Sequence, residues 1–101
     1  MWLCFNDGFV SVVNDKLGIN ELVIRSRRPE ILEELFPEKQ ITILTVSDYK
    51  YRVYCSKSEM SKILVDRIGK IDYSNFKDSV EDEELHDLYS DMWSLHYRYQ
   101  E

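Results

Sequence analysis

The sequence predicts an α+β protein with a four-stranded, mainly antiparallel sheet and helices packed on one face. Two observations lead to this fold class. β-branched and aromatic runs occur in pairs separated by polar turn residues, and after each pair the apolar residues change to helical spacing. The predicted element order is ββαββαα without repeats or linkers, so residues 1–101 are expected to form a single domain.

The first predicted element is a β-hairpin. Residues 2–13 are extended in character, and Asn6-Asp7-Gly8 within them is a turn or bulge signal because these residue types tolerate positive φ. The polar residues 14–20 then lead to a second β-rich run over residues 21–27. The two runs are expected to pair.

A short helix and a second hairpin follow. Pro29 suits a first helical position because its missing N–H costs nothing there, and apolar residues recur at helical spacing until Pro37 ends the helix. Residues 41–46 are apolar and β-branched, Ser47-Asp48 is a turn signal, and residues 49–55 alternate with a period of two. These features predict two further strands.

Two helices are predicted after the second hairpin. Ser56 and Glu59 have the spacing of a capping box, and an apolar stripe continues from there to Gly69. Residues 72–77 are expected to form a turn that leads into a short helical piece. From about Asp82 the apolar residues lie on one face, opposite an acidic face, which predicts the longest helix of the chain.

The residue types needed for catalysis or metal binding do not occur in productive patterns. Cys4 and Cys55 are far apart, and the only histidines, His86 and His96, lie on different turns of one helix, beyond the reach of an i, i+4 metal pair. With three glycines in all, no phosphate-cradling loop and no glycine elbow around a serine is formed. We therefore expect no enzyme activity, no cofactor and no metal.

Composition also bears on location and partners. No apolar run approaches the roughly 20 residues that cross a bilayer, and the two cysteines suit a reducing compartment, so a cytoplasmic protein is predicted. A net charge of −6 makes nucleic acid a less expected partner than another protein. A homodimer is a further possibility. Tyr97 is a candidate contact residue, either with a partner or across such a dimer, and Trp93 is expected in the core.

Period-two alternation divides the side chains of the predicted sheet between two faces. The inward set is apolar: Leu22, Ile24, Tyr49, Tyr51 and Val53. The outward set is basic and aromatic: Arg25, Arg27, Lys50, Arg52 and Tyr54. Such a face binds phosphates or stacked bases in some small folds, but the same residues also occur as solvated cross-strand partners or in a protein interface.

The segment around the start of the last predicted helix is strongly acidic. It contains seven carboxylates and no Lys or Arg between them: Asp78, Glu81, Asp82, Glu83, Glu84, Asp87 and Asp91. This acidic surface is interpreted either as a mimic of nucleic-acid phosphates that occupies a basic groove on another protein, or as a solvated helix face that complements the positive helix N-terminus.

Several motifs resemble those of a family of short bacterial proteins of unknown activity that begin Met-Trp-Leu. The resemblance rests on residues 8–13, 23–27 and 48–52, on the segment Ile71-Asp72-Tyr73-Ser74-Asn75-Phe76-Lys77, and on a C-terminal helix with Trp93. The Asp-Tyr-x-Asn-Phe-Lys part is the most distinctive. This chain differs in being more acidic before the last helix and richer in tyrosine after it. The resemblance implies a fold and no particular activity.

The resembling motifs contain polar positions that are expected to meet at one edge of the sheet. With Tyr54 from the outward face, they form a candidate binding site: Arg25, Arg27, Asp48, Arg52, Tyr54, Asp72, Asn75 and Lys77. The alternative is that Asp48 and Asp72 cap turns and pair with the arginines.

Three functional hypotheses follow. The first is a non-catalytic protein-binding or regulatory module. The second is an inhibitor, encoded by a phage or mobile element, that blocks a host nucleic-acid-processing defence enzyme through the acidic surface. The third is nucleotide or RNA binding on the arginine-bearing sheet face.

Overall fold

The computed structural model describes all residues 1–101 and contains five strands and three α-helices. The elements, with a 3₁₀ turn before the last helix, are β1 Trp2–Phe5, β2 Gly8–Asn14, β3 Leu22–Ser26, α1 Glu30–Leu35, β4 Thr42–Ile43, β5 Tyr51–Cys55, α2 Lys57–Gly69, the 3₁₀ turn Lys77–Ser79 and α3 Glu83–Tyr97. The strand order is β1-β2-β3-β5-β4, with antiparallel pairing of β2 with β3, β3 with β5 and β5 with β4. The predicted α+β class is confirmed, whereas the predicted number of four strands is wrong.

The additional strand results from a chain reversal at Asn6-Asp7. The sequence of this segment is compatible with either a turn or a bulge. The amino group of Met1 donates to the carbonyl oxygen of Val12 at 2.8 Å, and the Val12 N–H donates to the Met1 carbonyl oxygen at 2.7 Å. Such a reciprocal pair is the pattern of antiparallel neighbours. Residues 2–13 are therefore two strands rather than one.

The predicted strand over residues 41–46 is reduced to Thr42–Ile43, the edge strand β4. The Leu44 N–H donates to the Lys50 carbonyl oxygen, and the Ser47 N–H donates to the Leu44 carbonyl oxygen, so the chain is already turning at Leu44. An edge strand has a paired neighbour on one side only, and an exposed apolar residue such as Val46 gains nothing by extending it.

The chain divides into two compact units. The sheet unit comprises Met1–Cys4 and Phe9–Ile71, and the C-terminal unit comprises Phe5–Gly8 and Asp72–Glu101. None of the helices is long and apolar enough to cross a membrane.

The core of the sheet unit follows from the strand register. Val12, Ile24 and Val53 stand opposite one another across β2, β3 and β5, and all three side chains are buried. Helix α1 packs against β3 and β5 and adds the buried Ile31 and Leu32. Burial of each of these side chains contributes about 1.5–3 kcal/mol to folding before entropy is counted.

Helix α2 begins as the sequence predicts. The Ser56 hydroxyl accepts a hydrogen bond from the Glu59 N–H at 3.1 Å, and the Glu59 carboxylate accepts one from the Ser56 N–H at 3.0 Å. This is the reciprocal capping box, and it satisfies two N–H groups that have no partner within the helix. Lys39 adds an ion pair to Glu59 at 3.0 Å.

The C-terminal unit is organised around Tyr89 of α3, which is buried. Its hydroxyl donates to the Phe5 carbonyl oxygen at 2.8 Å and lies 3.0 Å from that of Gly8. The Phe76 ring contacts the Tyr89 ring at a centroid distance of 5.1 Å. The expectation that Trp93 belongs to the core is wrong, because its side chain is 47% exposed.

Candidate functional site

Three arginines come together on one face of the sheet, which we call the arginine face. Arg25 in β3 stands opposite Ser11 in β2 and opposite Arg52 in β5, and Arg52 in turn stands opposite Thr42 in β4. Directly opposed residues of antiparallel strands project to the same face of the sheet. The register therefore places Arg25 and Arg52 on the face opposite the buried Ile24 and Val53, as the alternation predicts.

Tyr49 forms the base of this cluster. The guanidinium carbons of Arg25 and Arg27 lie 4.6 and 4.4 Å from the centroid of its ring, and the side chain is only 5% exposed. Cation–π contacts at this distance hold the guanidinium groups over the ring. Tyr49 is buried as predicted, but under the arginines rather than with Val53. Strand β5 begins at Tyr51, so the period-two alternation does not reach back to it.

The hydrogen-bond partners of the arginines are neutral. An Nη2 atom of Arg25 donates to the Ser11 hydroxyl and that of Arg52 to the Ser47 hydroxyl, both at 2.8 Å, while Arg27 donates to a backbone carbonyl oxygen. None of the three arginines forms an ion pair with a carboxylate. The Nε atoms of Arg25 and Arg52 are buried and have no acceptor.

This arrangement is unfavourable for stability. A buried N–H donor without an acceptor costs about 1–3 kcal/mol, and like charges directly opposite in a sheet repel each other. Local features that cost stability without a compensating contact are typical of functional sites. Arg25 and Arg52 are only half-buried, so a phosphate or carboxylate group could accept hydrogen bonds from their Nη atoms, which are donors suited to both groups.

Asp48 has only one of its two expected roles. Its carboxylate accepts hydrogen bonds from the Tyr49 N–H at 2.8 Å and from the Ser47 hydroxyl at 3.4 Å, so it caps the turn. The expectation that the carboxylate also pairs with an arginine is wrong, because Arg27 donates to the Asp48 backbone carbonyl instead. Tyr54 stands opposite Val23 and is half-buried.

The remaining candidate residues belong to the C-terminal unit and have local partners there. The Asn75 side chain accepts a hydrogen bond from the Asp78 N–H at 3.1 Å, and the Lys77 ammonium lies 4.7 Å from the Trp93 ring centroid. Asp72 is exposed. The prediction that Asp72, Asn75 and Lys77 join the arginines in one site stays a prediction.

The acidic surface lies wholly in the C-terminal unit, and all seven of its carboxylate residues are exposed. That unit contains ten acidic and two basic side chains, a formal charge of −8, whereas the sheet unit contains nine acidic and eleven basic ones, a formal charge of +2. Asp82 caps α3 by accepting from the Leu85 N–H at 2.9 Å. The net charge of the whole chain therefore describes neither unit.

Sequence reasoning missed Ser11, Ser47 and Tyr49 as parts of the site. Ser11 is a polar residue within an apolar strand, which is a usable signal once the register with Arg25 is known. The sequence indicates Ser47 only as a turn residue, and the period-two alternation places Tyr49 on the opposite face from the arginines it contacts.

Neither cysteine has the environment of a reactive thiol. Cys4 is exposed and Cys55 is buried, and partial burial raises the pKa of both thiols. For Cys55 the nearby Glu59 carboxylate raises the pKa further. A raised pKa lowers the thiolate fraction and with it the reactivity. No group of three or more His, Cys, Asp and Glu side chains in residues 1–101 has a metal-binding arrangement.

Comparisons with protein-family models, curated proteins and solved structures found no match. The resemblance to the Met-Trp-Leu family accordingly stays a prediction. A functional proposal for this chain rests on the geometry of the arginine face.

Proposed function

We propose that this chain is a non-catalytic binding module whose recognition surface is the arginine face, and that it binds an oxyanion presented by a partner. One observation carries the proposal: Arg25 and Arg27 lie over the Tyr49 ring, Arg52 stands opposite Arg25, and none of the three has a carboxylate partner. Phosphate and carboxylate are the groups that such a set of donors recognises.

The arginine side chains are also held in place before an anion binds, which lowers the conformational entropy lost on binding. Arg25 and Arg52 are held by the hydroxyl groups of Ser11 and Ser47, and the Tyr49 ring restrains Arg25. Side chains that are already fixed lose little conformational freedom on binding. Arg27 is exposed and supplies a positive charge that attracts an anion during approach.

The test is a calorimetric titration with inorganic phosphate, phosphoserine and acetate at low ionic strength. Wild-type protein is expected to bind at least one of these anions. Arg25→Gln and Arg52→Gln each remove a charge and are expected to weaken binding about tenfold or more, since a hydrogen bond to a charged group is worth about 1.5–3 kcal/mol. Lys62→Gln, on the exposed side of α2, is the matched control. Equal binding by all three variants would refute the proposal.

A second candidate, the inhibitor that acts through the acidic surface, is supported by the formal charge of −8 on the C-terminal unit. An exposed, strongly anionic helix competes with nucleic acid for a basic groove. The test measures whether the protein competes with DNA for binding to purified defence nucleases. The test variant combines Asp87→Lys with Asp91→Lys on α3. The control variant combines Glu33→Lys with Glu34→Lys on α1. Loss of competition in the α3 pair alone supports this candidate, and equal behaviour of the two pairs excludes it.

A further inference from the structure

An aromatic pair, of which Trp2 is exposed and Phe9 half-buried, lies on the same side of the sheet as the arginines. The Trp2 and Phe9 rings contact edge to face at a centroid distance of 5.6 Å, and Trp2 is 67% exposed. The reciprocal hydrogen bonds between Met1 and Val12 place the next residue, Trp2, opposite Ser11. Phe9 and Ser11 are two residues apart on β2 and share a face, so the Trp2 ring lies on that face as well.

A single cross-strand row therefore contains both an aromatic ring and the guanidinium groups. It runs from Trp2 in β1 through Ser11 and Arg25 to Arg52 in β5. Neighbouring strands are about 4.8 Å apart, which puts the backbone of Trp2 about 10 Å from that of Arg25 and about 14 Å from that of Arg52. The long side chains shorten this gap, so one ligand can contact Trp2 and a guanidinium group together.

A ligand that uses the whole row needs a flat, apolar ring and an oxyanion a short distance away. A phosphopeptide or an acidic peptide satisfies the arginines but has no obligatory group for Trp2. A nucleotide has both, because every base has a face that stacks on an aromatic side chain and every base is linked to a phosphate. A duplex does not fit, since its bases are already stacked on one another.

The charge of the sheet unit is compatible with such a ligand. With eleven basic and nine acidic side chains its formal charge is +2, although the chain as a whole is at −6. Affinity for phosphates depends on the Lys and Arg side chains at the site more than on the net charge of the whole chain, because salt screens charges beyond about 10 Å.

We infer that the oxyanion recognised by the arginine face is the phosphate of a single-stranded nucleic acid, and that one of its bases stacks on Trp2. This inference rests on the proposed function and adds the class of ligand. Trp2 supplies stacking that tolerates any base, and Arg25 and Arg52 hold the adjacent phosphates. The binding is therefore independent of sequence and sensitive to salt.

The experiment is a fluorescence titration of Trp2 in a Trp93→Phe background, with the tetranucleotide dT4 and with phosphoserine and inorganic phosphate as comparison ligands. We expect dT4 to quench the Trp2 emission and to bind at least tenfold more tightly than inorganic phosphate. The Trp2 variants have lost the fluorophore, so their affinities are measured by calorimetric titration against the same ligands. Trp2→Ala is expected to weaken dT4 binding about tenfold and to leave phosphate binding unchanged, since stacking is worth about 1–3 kcal/mol per base. Trp2→Phe, which keeps an aromatic ring, restores most of the affinity.

The outcomes separate the two proposals. If dT4 binds no more tightly than phosphate, or if Trp2→Ala has no effect on it, the inference about nucleic acid is wrong while anion binding stands. If phosphoserine binds more tightly than dT4, the ligand class is a phosphoprotein and the inference is likewise overturned. If no anion depends on Arg25 and Arg52, the proposed function itself fails. A slope of log affinity against log salt of about −1.4, reduced to about −0.7 in Arg52→Gln, supports phosphate contact by that residue.

Discussion

Replacement of Arg52 by methionine should make the protein more stable and weaken anion binding about tenfold or more. Arg52 stands directly opposite Arg25, and its buried Nε has no acceptor. The substitution removes a buried donor without an acceptor, which costs about 1–3 kcal/mol of stability. It also removes the repulsion between two like charges, which costs about 0.2–1 kcal/mol. It also removes the hydrogen bond to Ser47, worth about 1 kcal/mol. Methionine keeps much of the aliphatic packing, so the expected net gain is about 1 kcal/mol.

The assay is urea unfolding followed by circular dichroism, with and without phosphate. Lys62→Met on α2 is the control, because exposed substitutions usually change stability by less than about 0.5 kcal/mol. At a phosphate concentration of about 100 times the wild-type dissociation constant, the wild type should gain about 2.7 kcal/mol, and Arg52→Met, with an affinity about tenfold lower, should gain at most about 1.4 kcal/mol. A loss of more than about 1 kcal/mol in Arg52→Met, with Lys62→Met neutral, would show that the guanidinium group has a structural role and would refute the reasoning.

Three further predictions concern the scaffold. Ser56→Ala removes the cap of α2 and should cost about 1 kcal/mol in urea unfolding, whereas the neighbouring Ser58→Ala should change little. The pKa of Glu59 is lowered by the backbone N–H of Ser56 and by Lys39. The ionised carboxylate therefore stabilises the folded protein above its ordinary pKa of 4.5, and this stability is lost as the pH falls below that value. Glu59→Gln should therefore flatten the acid limb of a stability profile, and an unchanged limb would contradict this assignment. Tyr89→Phe should cost about 1 kcal/mol through its hydroxyl contacts, and an equal loss in Tyr97→Phe would contradict it.

Local signals explain the parts of the fold that the sequence predicts well. The capping box of α2 depends on two side chains three residues apart, and helix α1 lies between Pro29 and Pro37 because proline suits the first turn and cannot continue a helix. The division of Ile24 from Arg25 follows from the period of a strand. None of these features requires knowledge of a distant contact.

Features that depend on distant partners were not predictable in the same way. Asn6-Asp7-Gly8 is compatible with a bulge and with a reversal, and the choice is visible only in the hydrogen bonds between Met1 and Val12. Tyr49 has the alternation of a strand residue but lies outside β5, where the guanidinium groups of Arg25 and Arg27 determine its surroundings. A pattern of residue types does not contain such contacts.

Charge illustrates the same limit for function. A net charge of −6 argues against nucleic acid when the chain is treated as one object. Division into units separates a sheet unit of +2, with arginines that have no carboxylate partner, from a C-terminal unit of −8 that carries the acidic surface. Taken by itself, a unit of +2 attracts anions and a unit of −8 attracts cations. The anion-binding proposal and the inhibitor candidate therefore concern different surfaces, and each is tested by substitutions that leave the other intact.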